Sequence, residues 1–117
     1  MRKLALILLL GLVSHSTSAA DDIPEEINYL LQAIGSSECT FIRNGERHDS
    51  EAAEDHLRMK YSKARRFAPS SEKFIERLAS KSYLSKKPYF IECAGEEKVP
   101  SGDWLMARLE EYRAKSP

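Results

Sequence analysis

The chain has 117 residues, 42% of them hydrophobic, and its 18 basic residues are matched by 18 acidic residues. A chain of this length suffices for one small domain. The formal net charge of +0 argues against bulk electrostatic attraction to nucleic acid, so nucleic acid is not an expected partner.

Residues 1–20 have the pattern of a cleaved secretory signal peptide. A basic start at positions 2 and 3 precedes an apolar run over 4–13, and small residues occupy 18–20. The run is shorter than a membrane span, and no later stretch approaches the roughly 18 apolar residues that a span needs. We expect cleavage after Ala19 or Ala20, which leaves a single domain over 21–117 that is exported to the periplasm without a membrane span.

Both cysteines, Cys39 and Cys93, lie in the expected mature domain. Two cysteines in an oxidising compartment usually pair. The bridge would close a loop of about 55 residues, which is worth about 4 kcal/mol in the chain-entropy account of disulfide stabilisation. A redox-active pair is the alternative, but the sequence has no C-x-x-C spacing.

The first predicted helix covers 22–34. Asp22 with Glu25 resembles a capping box, and Gly35 is a typical helix end. Apolar residues at helical spacing form one stripe, made of Ile23, Ile27, Leu30, Leu31 and Ile34. A hairpin is expected next, with strands over 39–43 and 46–48, because Asn44-Gly45 supplies the two positive-φ residues of a type I′ turn.

Two helices are predicted after the hairpin. The second helix covers about 51–66, with Ser50 as its cap, and ends before Pro69. The third covers about 71–81 with Ser70 as its cap, and we expect its inward side chains to be Phe74, Ile75, Leu78, Ala79 and Ser82.

The last two elements are a strand and a helix. A strand over 88–93 begins at Pro88, a position where proline is tolerated. The segment "AGEEKVPSG" then reads as a loop, with Ser101 as the cap of a final helix over about 102–114. Its predicted inward side chains are Trp104, Leu105, Leu109 and Tyr112.

The two cysteines also predict how the strands pair. If Cys39 lies opposite Cys93 in an antiparallel pair, Phe41 faces Ile91, and these residues form one apolar face with Tyr89. The pairing constraint and the hydrophobic pattern therefore agree. We predict an α+β domain with one disulfide, about four helices and a small three-stranded antiparallel sheet (39–43, 46–48 and 88–93).

Five segments occur in an order and spacing that carry a resemblance: "FIRNG" at 41–45, "HLRMK" at 56–60, "SSEKFIERLASKS" at 70–82, "KPYFIEC" at 87–93 and "WLMARL" at 104–109. They resemble the YfeK-like family of small exported bacterial proteins, a domain of unknown function. The resemblance implies a signal peptide and a periplasmic location, and it implies no activity. One departure is Lys86, where many members of the family have glycine before "KPY".

Lys60 lies at the centre of the apolar stripe of the second predicted helix, with His56 at its border. A cation amid apolar residues needs a physical reason. Its stem could pack while the ammonium reaches water or a carboxylate. Alternatively, Lys60 and His56 could face a shallow site against the sheet that binds an anion or a polar ligand.

In the predicted strand pairing, Arg43 lies opposite Glu46 on one side and Tyr89 on the other, and all three side chains are on the same face of the sheet. A cross-strand pair with Glu46 and stacking on Tyr89 is one interpretation, and a part in the same binding site is the other. Asn44 is primarily a turn residue. The candidate binding residues are therefore Arg43, Asn44, His56, Lys60 and Tyr89.

No chemistry of a known type follows from the residue spacing. The histidines and aspartates at 48–56 match no metal-site spacing, and no nucleophile motif is present, so no metal, cofactor or catalytic residue is expected. A basic run includes Arg58, Lys60, Lys63, Arg65 and Arg66, with Lys81, Lys86 and Lys87 following. It is either a solvated face near a helix end or a surface for acidic envelope polymers.

Two function classes remain. A binding module for an envelope protein or polymer is favoured, since no acid–base or nucleophile–base arrangement is readable. A small periplasmic hydrolase acting on an envelope substrate is the alternative. A concave pocket joining His56 to Glu92 or Asp103 would favour the hydrolase.

Overall fold

The computed structural model describes residue 11 and residues 22–115. The predicted signal peptide and its cleavage site therefore lie outside the described residues, apart from Gly11. Residues 22–115 fold as α1 (Glu25–Gly35), β1 (Thr40–Arg43), β2 (Glu46–His48), α2 (Ser50–Ala64), a 3-10 turn (Arg65–Phe67), α3 (Ser71–Phe74) continued by a π-helical segment (Ile75–Ala79), β3 (Phe90–Glu92), β4 (Val99–Pro100) and α4 (Ser101–Lys115). The α+β class is confirmed.

None of the helices within this part of the chain combines the length and the hydropathy that a membrane crossing requires.

The disulfide and the predicted register are confirmed. Cys39 and Cys93 are joined, with their Cα atoms 4.3 Å apart. In the antiparallel pair of β1 and β3, Phe41 lies opposite Ile91. The turn between β1 and β2 has positive φ at Asn44 (51°) and Gly45 (79°), as a type I′ turn requires.

The sheet has four strands rather than three, in the order β2-β1-β3-β4. The prediction of a loop at 94–102 was wrong in part, because Val99 pairs with Ile91 and Pro100 with Phe90. A strand of two residues that includes a proline is too short to show an alternation of apolar and polar residues. Its strand conformation is evident only from its pairing with β3. The predicted strand over 88–93 shortens to Phe90–Glu92.

Two predicted helix caps differ from the observed ones. α1 begins after Pro24, which makes no side-chain cap bond, so Asp22 does not cap it. Proline has a fixed φ and no N–H of its own to satisfy, so it is tolerated directly before a helix. α2 begins one residue earlier than predicted, and the carboxylate of Asp49, rather than Ser50, accepts from the Ala52 N–H at 2.8 Å. Both residue types are good caps, and the extended backbone at Asp49 decides between them.

Ser70 caps α3 as predicted, by accepting from the Lys73 N–H at 3.1 Å. The helix is not regular over 71–81, however. It widens to a π-helical segment after one turn, and the Ser80 hydroxyl donates to the Ile75 carbonyl at 2.5 Å. The Ser101 hydroxyl, in contrast to that of Ser70, does not cap its helix. It is fully buried and donates to the Ala79 carbonyl at 2.7 Å, which ties the two helices together.

The core lies between the helices and one face of the sheet. Phe41, Tyr89 and Ile91 on that face are at most 2% exposed. The other face, with Ile42, Arg47 and Phe90, is partly or fully open to solvent. The helical residues of the core include the predicted stripe of α1 and the inward residues of the later helices: Ile27, Leu30, Leu31, Ile34, Leu57, Tyr61, Phe74, Ile75, Leu78, Leu105 and Leu109.

Candidate functional site

Four of the five predicted site residues lie together, where α2 crosses the hairpin end of the buried sheet face. The His56 and Tyr89 rings are 6.5 Å apart, and the Lys60 ammonium lies 4.9 Å from the centre of the Tyr89 ring. Arg43 is the last residue of β1. It lies close enough to His56 and Lys60 for its charge to contribute to lowering the pKa values of both. We call Arg43, His48, His56 and Lys60 the basic cluster.

Asn44 lies apart from this cluster. Its side-chain oxygen accepts from the Ser85 hydroxyl at 2.8 Å, which ties the hairpin turn to the loop before β3. The contact is exposed, so it holds the loop in place without closing a pocket.

Lys60 directs its ammonium to the interior, where three oxygen atoms accept from it. The acceptors are the Leu78 carbonyl at 2.7 Å, the Lys81 carbonyl at 3.0 Å and the Tyr89 hydroxyl at 3.1 Å. No carboxylate is involved, which differs from the expectation that the ammonium reaches water or an acidic partner. Burial, and to a lesser extent the charge of Arg43, lowers the pKa of Lys60 to about 8, so the group stays mostly protonated at neutral pH.

The end of the π-helical segment explains this arrangement. The last carbonyls of a helix have no later helical N–H to accept from. A cation at this end also interacts favourably with the negative end of the helix dipole. Lys60 supplies donors to the carbonyls of Leu78 and Lys81. The Tyr89 backbone N–H supplies the Ser80 carbonyl at 2.8 Å. Lys60 therefore joins α2, the end of the π-helical segment and the start of β3.

The two histidines of the cluster have a ring nitrogen without a partner. Nε2 of His48 and Nε2 of His56 are buried and make no hydrogen bond with the described residues. The nearest carboxylate oxygen to His48 Nε2 belongs to Glu46, at 3.8 Å. Burial, followed by the charges of Arg43 and Lys60, lowers the pKa of His56 to about 4, so its imidazole is neutral at pH 7.

Arg43 lies opposite Glu46 in the backbone register, as predicted. Within residues 22–115, however, no ion pair forms between them, and no carboxylate pairs with Arg43, His56 or Lys60. Three of the four members of the cluster therefore have no carboxylate partner, and only His48 lies near one, that of Glu46. The positive charge of the cluster reaches solvent at Arg43, because the Arg43 side chain is only half-buried.

One of the two pairs that would have favoured catalysis, His56 with Glu92, does not come together. Glu92 lies opposite Thr40, on the open face of the sheet, and pairs with Arg47. His56 lies on the covered face against Tyr89. In the part of the chain that the structure describes, no group of three or more His, Cys, Asp or Glu residues could hold a metal ion.

A concave surface lies away from the basic cluster, at residues that the sequence did not indicate as a site. A groove of about 520 Å³ lies between α1 and α4, next to the disulfide. Trp104 was predicted to point inward but is half-buried there, and the Arg108 guanidinium lies 4.8 Å from its ring centre in a cation–π contact. The i, i+4 spacing of these two residues was visible in the sequence, whereas their position beside Tyr29 depends on the packing of α1 against α4.

The comparisons agree with the resemblance seen in the sequence. The profile of a family of unknown function (DUF5329) matches residues 21–113. The chain is also 41% identical over 64 residues to the uncharacterized protein YfeK of Salmonella typhimurium, a match that covers 54% of this chain and 53% of that protein. The matched segment is thus about half of that relative. No solved structure matches the chain. Because the profile covers most of the chain, the protein belongs to the DUF5329 family, whose function is unknown.

Proposed function

We propose that this protein is an exported, periplasmic binding module that takes acidic groups of an envelope protein or polymer at the basic cluster. The observation that supports the proposal is the unneutralised charge of the cluster: Arg43 and Lys60 lie near two imidazoles, and no carboxylate within residues 22–115 pairs with Arg43, His56 or Lys60. The disulfide is compatible with export.

The members of the cluster would have different tasks. The ammonium of Lys60 is already occupied by three internal acceptors, so it would act mainly through its charge and by holding Tyr89. The Arg43 side chain makes no hydrogen bond or ion pair within the described residues and is half-buried, so its guanidinium can reach a ligand. A planar guanidinium suits the two oxygen atoms of a carboxylate or phosphate.

The loop before β3 extends the positive surface toward solvent. Ser85 holds this loop against the hairpin turn through Asn44. The loop contains Lys86 and Lys87, both exposed, and begins after the exposed Lys81. A polymer with repeated acidic groups could therefore contact Arg43 and the loop lysines together, which would raise its affinity above that of a single group.

Anion binding should relieve the repulsion within the cluster, and this is measurable. We would titrate the protein with sodium pyrophosphate and compare it with sodium chloride at equal ionic strength, because salt alone screens charges. We expect pyrophosphate to raise the melting temperature. At ten times the dissociation constant the gain would be about 1.4 kcal/mol. In NMR spectra, the pKa of His56 should rise from about 4, since a bound anion favours the imidazolium.

Two matched variants test where the anion binds. Arg43→Gln should fold normally and lose the response to pyrophosphate, because it removes the proposed contact. Arg47→Gln serves as the control, since Arg47 is on the same hairpin but pairs with Glu92 on the open face. The proposal is wrong if pyrophosphate and chloride have equal effects on the wild-type protein, or if Arg43→Gln responds as strongly as Arg47→Gln.

A further inference from the structure

The groove between α1 and α4 has the size and the lining of a ligand site. Its volume of about 520 Å³ lies within the range of small-molecule pockets. It shares no residue with the basic cluster. Its walls come from both helices, from the two ends of the disulfide and from the loop after β3, and they comprise Tyr29, Gln32, Ala33, Ser36, Ser37, Cys39, Cys93, Glu96, Trp104 and Arg108.

Arg108 is the residue of this lining that has a buried side-chain atom without a hydrogen-bond partner among the described residues. Its guanidinium lies over the Trp104 ring at 4.8 Å, and its Nη2 donates to Glu111 at 2.8 Å. Its Nε is buried and has no acceptor among the described residues. A buried donor without a partner costs about 1–3 kcal/mol. Nη1 bonds to no described residue, so a carboxylate of a ligand in the groove could accept a charge-assisted hydrogen bond from it.

The other side chains suit a sugar ring better than a peptide. Tyr29 and Trp104 are half-buried aromatic rings that present apolar area for the C–H face of a sugar. Gln32 offers an amide for sugar hydroxyls, and Glu96 offers a carboxylate that accepts from them. Ala33 is the only aliphatic side chain in the lining, so leucine or valine of a peptide would find no aliphatic subsite.

We propose that this groove binds a saccharide that carries a carboxylate on a ring substituent. The ring contacts Tyr29 and Trp104, the hydroxyls bond to Gln32 and Glu96, and the carboxylate bonds to Arg108. This site is independent of the anion site proposed above. A failure of one therefore does not affect the other.

The single tryptophan of the chain makes the test direct, because Trp104 itself lines the groove. We would titrate the purified protein with N-acetylmuramic acid and with N-acetylglucosamine, which has the same ring but lacks the acid group, and record tryptophan fluorescence. We expect a saturable change with the acidic sugar at concentrations up to about 10 mM, and at least about tenfold weaker binding of the neutral sugar, a difference that one carboxylate–arginine contact can supply.

Arg108→Gln should abolish the preference for the acidic sugar while keeping weak binding of both. Arg113→Gln is the control on the same helix, since Arg113 bonds to Glu26 and Glu72 outside the groove and should leave the preference unchanged. Absence of a saturable change with either sugar on the wild-type protein would overturn the proposal. So would equal affinity for the two sugars, even if a variant did not fold.

Discussion

Replacing Lys60 by methionine tests whether its ammonium holds the fold together. Methionine keeps an unbranched stem of similar length, so the packing of α2 against the core should survive. What disappears is the set of three donors to the carbonyls of Leu78 and Lys81 and to the Tyr89 hydroxyl. If the ammonium merely reached solvent, stability would hold or rise slightly. The observed contacts predict a loss instead.

The size of that loss follows from two opposing contributions. The Leu78 carbonyl is partly buried, and because the helix ends at Ala79 no later helical N–H reaches it. Leaving it unsatisfied costs about 1–3 kcal/mol, and charged donors form the stronger bonds. The Lys81 carbonyl is exposed and can bond to water, so it adds little. Removing a desolvated cation, whose pKa is lowered to about 8, returns part of the loss. We expect a net destabilisation of about 2 kcal/mol.

Thermal and chemical denaturation of wild type, Lys60→Met and Lys63→Met would measure this effect. Lys63 is the matched control, because it lies on the same helix and is exposed. A loss of 2 kcal/mol corresponds to about 8–16 °C in melting temperature for a domain of this size. The control should stay within about 0.5 kcal/mol of wild type. Equal melting temperatures for the two variants would refute the account of Lys60 as a structural cap.

Four further predictions concern single features of the fold. Titration of the denatured protein should find no free thiol without reductant, and Cys39→Ser with Cys93→Ser should lower the free energy of unfolding by about 4 kcal/mol; an unchanged melting temperature would contradict this. Gly45→Val should cost at least about 1 kcal/mol in chemical denaturation, since a β-branched residue resists its positive φ of 79°. Lys86→Gly should stabilise the protein by about 0.5–1 kcal/mol, because Lys86 has a φ of 61° that glycine adopts without strain; Lys87→Gly, as control, should not. The pKa of His56 is lowered from 6.5 to about 4, mainly by burial, so the unfolded state binds more protons between these values and stability should fall as the pH drops from 6.5 to 4. That fall should be smaller in His56→Gln, and identical pH profiles of melting temperature for the two proteins would argue against it.

The backbone conformation at Lys86 gives a physical reason for expecting glycine at this position. The sequence resemblance predicts glycine at this position, and the backbone here has a φ of 61°, in the left-handed region that glycine favours. The Lys86 N–H donates to the Ser82 carbonyl at 3.0 Å, so a tight turn forms with lysine as well. The turn therefore forms with lysine, at the expected cost of backbone strain at Lys86.

Local patterns in the sequence were enough to determine much of this domain. The stripe of α1, the hairpin turn at Asn44-Gly45 and the Ser70 cap each depend on residues within one or two turns of chain, where propensity and geometry decide. The disulfide and the register of β1 with β3 span a long separation. They were still readable, because two cysteines leave a single intramolecular pairing and that pairing agrees with the apolar alternation.

The remaining features depend on groups that are distant in sequence and meet only in the folded chain. β4 exists because β3 offers an edge to two residues without a pattern of their own. The π-helical end of α3 is satisfied by donors from α2, from the start of β3 and from α4. The groove beside the disulfide likewise forms only where α1 meets α4. Lys60 shows the difference most clearly: its helical spacing placed it among apolar residues, but the acceptors of its ammonium lie 18 to 29 residues away, and no local pattern specifies them.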